Sequence, residues 1–222
     1  MSTRFLFFDL GNVLIRFCTD RLFRQASAVV GQMPQWVFEN LYSPEMLRQA
    51  ESGHLSTEEF YRYICGLLPG KEVPFETLLA AVNDIFWLNE PMRPTLAQVA
   101  GTGLPLGLLS NIGPWHWEFC LATFPEIFQC IPANHVLSYK VGAMKPSPEI
   151  YAAAFSFAQK AVPGLRPDEV LFIDDLEKNI HGAKKFGFDA VLYSYKEHET
   201  LLKQLSLRGI LETSHKFIIR NS

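Results

Sequence analysis

The sequence predicts an α/β protein with a parallel sheet, and three apolar runs carry that expectation. Phe5-Leu6-Phe7-Phe8 stops on Asp9, Leu106-Gly107-Leu108-Leu109 stops on Ser110-Asn111, and Val170-Leu171-Phe172-Ile173 stops on Asp174-Asp175. Short continuous apolar runs of this kind read as strands buried on both faces. Each one delivers polar groups at its C-terminal end. In a parallel sheet those ends line one crevice, where ligands bind. Two acidic sites and a hydroxyl in one crevice point to metal-assisted phosphoryl chemistry.

After the first strand comes a long helical stretch before the next apolar run, which predicts an inserted helical domain over about residues 16 to 92. Its elements follow from spacing. Thr19-Asp20 is expected to cap a helix that places Leu22, Phe23, Ala26, Val29 and Val30 on one face. Ser56 with Glu59 has the capping-box spacing, ahead of a helix carrying Phe60, Ile64, Leu67 and Leu68. A third stripe, Phe75, Leu78, Leu79, Val82 and Ile85, predicts a helix ending before Pro91.

From Arg93 onward helices alternate with short apolar runs, at about 94–101, 114–122, 148–160 and 177–187. This alternation predicts βα units and a sheet covered on both faces. Gly187 is expected to close the last helix before the strand Ala190-Val191-Leu192-Tyr193. The core is thus expected from residues 1–15 and 93–222. The apolar piece Phe217-Ile218-Ile219 has no assigned role.

Composition narrows the partner. The chain has 222 residues, 48% hydrophobic and 19% charged, enough to bury a substantial core. Twenty basic against twenty-three acidic residues give a formal charge of -3, with no dense Lys/Arg stripe to face a nucleic acid or an anionic membrane. A small molecule is the expected partner. Cys18, Cys65, Cys120 and Cys130 are far apart with no C-x-x-C pair, so neither a disulfide framework nor a zinc knuckle is indicated and a reducing cytoplasm fits. No apolar run is long enough for a signal-peptide core or a membrane span.

Four motifs stand in order: Phe8-Asp9-Leu10-Gly11-Asn12-Val13-Leu14, then Leu109-Ser110-Asn111, then Lys145-Pro146-Ser147-Pro148-Glu149-Ile150-Tyr151, then Phe172-Ile173-Asp174-Asp175 followed by Asn179-Ile180-His181-Gly182-Ala183. Together they resemble the haloacid dehalogenase-like (HAD) hydrolase superfamily over nearly the whole chain. The Asp-Leu-Gly-Asn-Val form is most similar to the bacterial alpha-glucose-1-phosphate phosphatase group. The resemblance implies a Rossmann-like parallel core with the helical insert as a small cap. It implies an Mg2+-dependent phosphatase of a small phosphorylated metabolite, a sugar phosphate above all. Asp9 would be the nucleophile, forming an aspartyl-phosphate that water hydrolyses. Mg2+ would be held by Asp9, by the Gly11 carbonyl and by Asp175, with Asp174 sharing or orienting that shell and Asn179 behind it. Lys145, the Ser110 hydroxyl and the Asn111 backbone N–H would hold the phosphoryl oxygens.

The chain departs from the wider phosphatase pattern at Gly11, where most members carry a second Asp that protonates the leaving group. That help is typically worth about 10²- to 10⁴-fold. Its loss favours leaving groups stable as anions, such as anomeric, aryl or acyl phosphates. Gly11 also leaves open a 2-haloacid dehalogenase and a catalytically retired phosphometabolite-binding protein. The acidic pair Asp174-Asp175 argues for metal and phosphate over the first. The intact nucleophile and lysine argue against the second.

Simpler readings hold elsewhere. Trp115 and Trp117 are expected to pack in the core, with His116 exposed, although the trio could overhang the pocket and His116 could supply the missing proton. Glu45, Arg48, Glu51 and His54 form a polar cluster near Gly53, read mainly as a solvated helix face with one or two members reaching the leaving group. Gly182 and Ala183 are read as small residues for close helix packing.

Overall fold

A computed structural model describes residues 2–212, so the Phe217-Ile218-Ile219 piece lies outside the described residues. The first apolar run forms β1 (Phe5–Phe8), flanked by β4 (Leu106–Ser110) and β6 (Val170–Asp174). β5 (His135–Leu137) and β7 (Asp189–Leu192) complete a five-stranded sheet in the order β5-β4-β1-β6-β7, with every pairing parallel. Strands β1, β4 and β6 are buried along their whole length, as their unbroken apolar runs require.

Alternate side chains serve the two faces. Leu6, Phe8, Leu108 and Ile173 pack on one side with Leu96, Trp117 and Leu205. Phe5, Phe7, Leu109 and Phe172 pack on the other with Tyr151, Ala154 and Ala183. These layers come from α6 (Met92–Gly101), α7 (Pro114–Thr123) and α12 (His198–Leu207) on the first side, and α10 (Pro148–Ala161) and α11 (Glu177–Phe186) on the second. Burying each such side chain stabilises the fold by about 1.5–3 kcal/mol. Gly107 makes room for its neighbour: a Cβ there would lie 2.5 Å from the Phe7 ring.

The four helix expectations from Arg93 onward hold to within two residues at each end. Gly187, at φ +113°, closes α11 in the left-handed conformation. The structure adds α8 (Pro125–Cys130), α9 (Ser138–Val141) and α12, which are too short or too weakly patterned to read from spacing alone.

Between β2 (Ile15–Phe17) and β3 (Phe86–Leu88) lie five helices: α1 (Thr19–Val30), α2 (Pro34–Leu41), α3 (Pro44–Glu51), α4 (Thr57–Gly66) and α5 (Phe75–Asn83). They gather around Leu22, Ala26, Val37, Phe60, Ile64, Leu78 and Val82. The core helix α7 contributes Trp115 to this cluster, its indole stacked on Phe60 with ring centroids 4.4 Å apart. The Ser56–Glu59 capping box is present with both bonds. At α1 the expectation is corrected: Cys18 takes the N-cap position, without a side-chain cap bond, and Thr19-Asp20 lie inside the helix. At α5 the helix stops at Asn83, and β3 pairs antiparallel with β2 through Ile15–Leu88, Arg16–Trp87 and Phe17–Phe86. Three-residue strands carry too little alternation to be distinguished from a helical stripe, and Ile85 completes the apolar cluster from outside the helix.

Among the described residues, no helix is long and apolar enough to cross a membrane.

Candidate active site

The four motifs meet at the C-terminal edge of the sheet. β1 delivers Asp9, whose backbone N–H donates to the Ile173 carbonyl at 2.9 Å, locking it beside β6. The residue is 7% exposed, and its side-chain Oδ1 accepts the Leu10 N–H at 2.7 Å. Lys145 reaches in from the loop before α10. Its Nζ lies 2.9 Å from Asp9 Oδ1, and it donates to Asp174 Oδ2 at 2.7 Å and to the Leu109 carbonyl at 2.9 Å. One ammonium thus ties together the ends of β1, β4 and β6.

Asp174 is fully buried and heavily bonded. Its Oδ1 accepts from the Leu176 N–H at 2.8 Å and from Asn179 Nδ2 at 3.0 Å, and Oδ2 accepts from Asn179 and Lys145. Tyr151 in turn holds the Asn179 carbonyl at 2.7 Å. Of the two roles open to Asp174, orienting its neighbours fits these four bonds. Asp175, less buried, accepts from Asn12 Nδ2 at 3.1 Å. Asn12 sits at φ 55°, a left-handed conformation that Asn tolerates better than most residues. Its contact with Asp175 is a site feature that the sequence reading missed; an Asn inside a strand-to-turn motif was the available signal.

Asn111 joins the second and third motifs. The Lys145 N–H donates to Asn111 Oδ1 at 2.8 Å, and Asn111 Nδ2 donates to the Lys145 carbonyl at 3.0 Å. Ser110, 2% exposed, ends β4. Gly182 lets α11 approach the same loop: a Cβ there would lie 2.9 Å from Pro146. Gly11 bridges to Ile15, and its φ lies outside the left-handed region. A Cβ at Gly11 would meet the edge of the Phe17 ring at 3.2 Å.

Negative charge is crowded in this pocket. Burial pushes the Asp9 carboxyl up to about 7; Lys145 opposes this, while Asp174 and Asp175 add repulsion. Burial also raises Asp175, helped by Asp174 and opposed by the Asn12 bond. For Lys145, burial pulls down but Asp9 and Asp174 outweigh it, so its pKa is raised and the ammonium keeps its proton. Oxygens of Asp9, Asp174 and Asp175 all lie within 4.8 Å of one another. A hard divalent cation suits this all-oxygen set and would relieve the repulsion.

The remaining polar candidates divide. Glu45 and Arg48 pair with each other on an exposed helix face, and His54 is exposed beside Ser52. Glu51 differs: it is half-buried and feels Lys145 and Lys178 across the crevice. Trp115 and Trp117 are buried, as expected. His116 is not exposed. Its Nε2 lies 2.7 Å from Tyr42 Oη, and burial pulls its pKa down to about 4, against a bond with the Val82 backbone. It therefore fastens α7 to the helical insert as a neutral ring and holds no proton to give a leaving group near neutral pH.

Known proteins share this sequence pattern and fold. A curated D-ribitol-5-phosphate phosphatase of Bacteroides thetaiotaomicron is 30% identical over 190 residues, covering 82% of this chain and 87% of that one. A solved HAD family enzyme from the same organism, in complex with magnesium, is 26% identical with a TM-score of 0.75, covering 92% of this chain and 100% of that one. The L-2-haloacid dehalogenase of Xanthobacter autotrophicus, 18% identical over 95% of this chain and 85% of its own with a TM-score of 0.59, shares the fold. The sequence model of the haloacid dehalogenase-like hydrolases matches residues 3–187, so this chain is an enzyme of the haloacid dehalogenase-like hydrolase family.

Proposed function

We propose that this enzyme is an Mg2+-dependent phosphatase of a small phosphorylated metabolite, a sugar or sugar-alcohol phosphate, acting through an aspartyl-phosphate on Asp9. The observation that carries the reading is the single Lys145 ammonium bonded to Asp9 and Asp174, with the Asp175 carboxylate close by. A dehalogenase needs one attacking carboxylate and no cation. A third acid at the same edge adds repulsion that a bound cation would offset.

Asp9 attacks phosphorus, Lys145 offsets the remaining negative charge, and the Ser110 hydroxyl and Asn111 backbone N–H hold phosphoryl oxygens as charge redistributes. Asp9, Asp175 and the Gly11 carbonyl would hold Mg2+, with Asp174 and Asn179 fixing the arrangement; bound there, the ion neutralises and aligns the phosphate. Residues 16–92 serve as a cap over the crevice and select the substrate.

The likeness to a phosphatase named for D-ribitol 5-phosphate brings sugar-alcohol phosphates into consideration. The Asp-Leu-Gly-Asn-Val form keeps alpha-glucose 1-phosphate beside them. A panel holding both, with 2-chloropropionate as the dehalogenase substrate, tests the reading in Mg2+ and in EDTA. Phosphate release that requires Mg2+ is expected. Chloride release without phosphate release would overturn it.

A further inference from the structure

We propose that Glu51, at the C-terminal end of α3, is the proton donor that replaces the acid absent at Gly11. This rests on the phosphatase reading above.

The placement comes first. α3 lies on the core at two points around the crevice. Ala50 abuts Gly113, two residues beyond Asn111, where a Cβ on Gly113 would be 3.4 Å from that of Ala50. Gly53, at φ +78°, lies so close to the Tyr139 carbonyl of α9 that a Cβ would be 2.1 Å from it. Glu51 sits between these two anchors. It is therefore held beside the loop that follows Asn111 and beside α9, the helix that leads into the Lys145 loop.

Its charged surroundings come from both sides of the crevice. The charges of Lys145, in the third motif, and Lys178, in the first turn of α11, act on it and lower its pKa, and its own charge acts on Tyr42 at the end of α2. On its own helix, Glu45 and Arg48 are paired in solvent. Burial outweighs the two lysines and pushes the Glu51 carboxyl up to about 7, so near neutral pH it can both give and take a proton.

The other donors fail on position or protonation. Gly11 has no side chain and so no proton to give. His116 is neutral and engaged by Tyr42 and Val82. Asp174 accepts four hydrogen bonds.

The step balances. An Asp9 carboxylate oxygen forms a bond to phosphorus as the ester P–O bond breaks; that electron pair stays on the leaving oxygen, which takes the Glu51 proton. In the second half, water attacks the same phosphorus and gives its proton to Glu51 carboxylate. The bond to Asp9 breaks, restoring both acids and releasing inorganic phosphate.

The test compares wild type with Glu51→Gln on propyl phosphate and 4-nitrophenyl phosphate, in saturating Mg2+ and across pH. Propyl phosphate turnover should fall by about 10²-fold, the scale of general acid help, and by at least about tenfold more than 4-nitrophenyl phosphate turnover. The wild-type decline with propyl phosphate as pH rises through about 7 should vanish in the variant. Glu51→Asp should fall between the two and serves if Glu51→Gln does not fold. Equal losses on the two esters, or an unchanged alkaline limb, would overturn the role of Glu51 alone. A wild type inert to both esters and to the metabolite panel would overturn the phosphatase reading with it.

Discussion

Asn111 and Lys145 hold each other by two reciprocal hydrogen bonds, side-chain oxygen to backbone N–H at 2.8 Å and side-chain nitrogen to backbone carbonyl at 3.0 Å. The pair fixes the loop after β4 to the loop before α10. It thereby sets the point from which the lysine side chain reaches Asp9 and Asp174.

Asn111→Ala should therefore do more than weaken the fold. Leaving the partner groups unpaired costs about 1–3 kcal/mol, visible as a lowered Tm. A displaced ammonium should lower kcat by about 10²-fold, since small misplacements at a reacting centre cost on that scale. Asn111→Asp keeps the acceptor for the Lys145 N–H and should lose less of both. Steady-state kinetics with thermal melts on the two variants check this.

Gly11→Asp should fold and add a proton donor. The backbone at Gly11 is not left-handed, so a side chain brings no strain there, and the Phe17 ring in the way is 37% exposed and free to yield. Alkyl phosphates should gain more than aryl phosphates, by up to about 10²-fold. Placed in the Glu51→Gln background, the same change should restore alkyl turnover. Kinetics on both backgrounds, with Mg2+ affinity measured alongside, decide it.

Mg2+ should stabilise the protein more at pH 8 than at pH 5. In the ion-free fold the Asp9 carboxyl is raised to about 7 from 3.8, so between those values the folded state binds the extra proton and stability falls as pH rises. A cation binds the deprotonated site, so its stabilisation grows over the same interval. Thermal melts in Mg2+ and in EDTA across pH measure the difference. A shift independent of pH, or none at all, contradicts the site.

Much of this site was legible because motif residues sit at strand ends. Asp9, Ser110 and Asp174-Asp175 follow unbroken apolar runs, and a parallel sheet sends such ends to one edge whatever the loops do. Lys145 could not be placed that way. It arrives from a loop, and only its order among the motifs marked it. The short pieces escaped because three residues of β2 or β3 carry no usable period, and Ile85 mimics a helical stripe. The burial of His116 and Glu51 escaped for a different reason. Both look like ordinary polar residues on helix faces, and only packing of α3 and α7 between the insert and the core removes them from water. Burial of that kind depends on contacts between distant segments, to which local patterning is blind.

Asp9→Asn provides the most direct measurement of the central claim. The amide keeps the shape of the carboxylate and can still accept the Leu10 N–H, but lacks the attacking charge. Turnover of a phosphomonoester hydrolysed by the wild type, assayed in saturating Mg2+ with the variant shown folded by its melt, should fall to background. Substantial Mg2+-dependent turnover in folded Asp9→Asn would contradict nucleophilic attack by this residue.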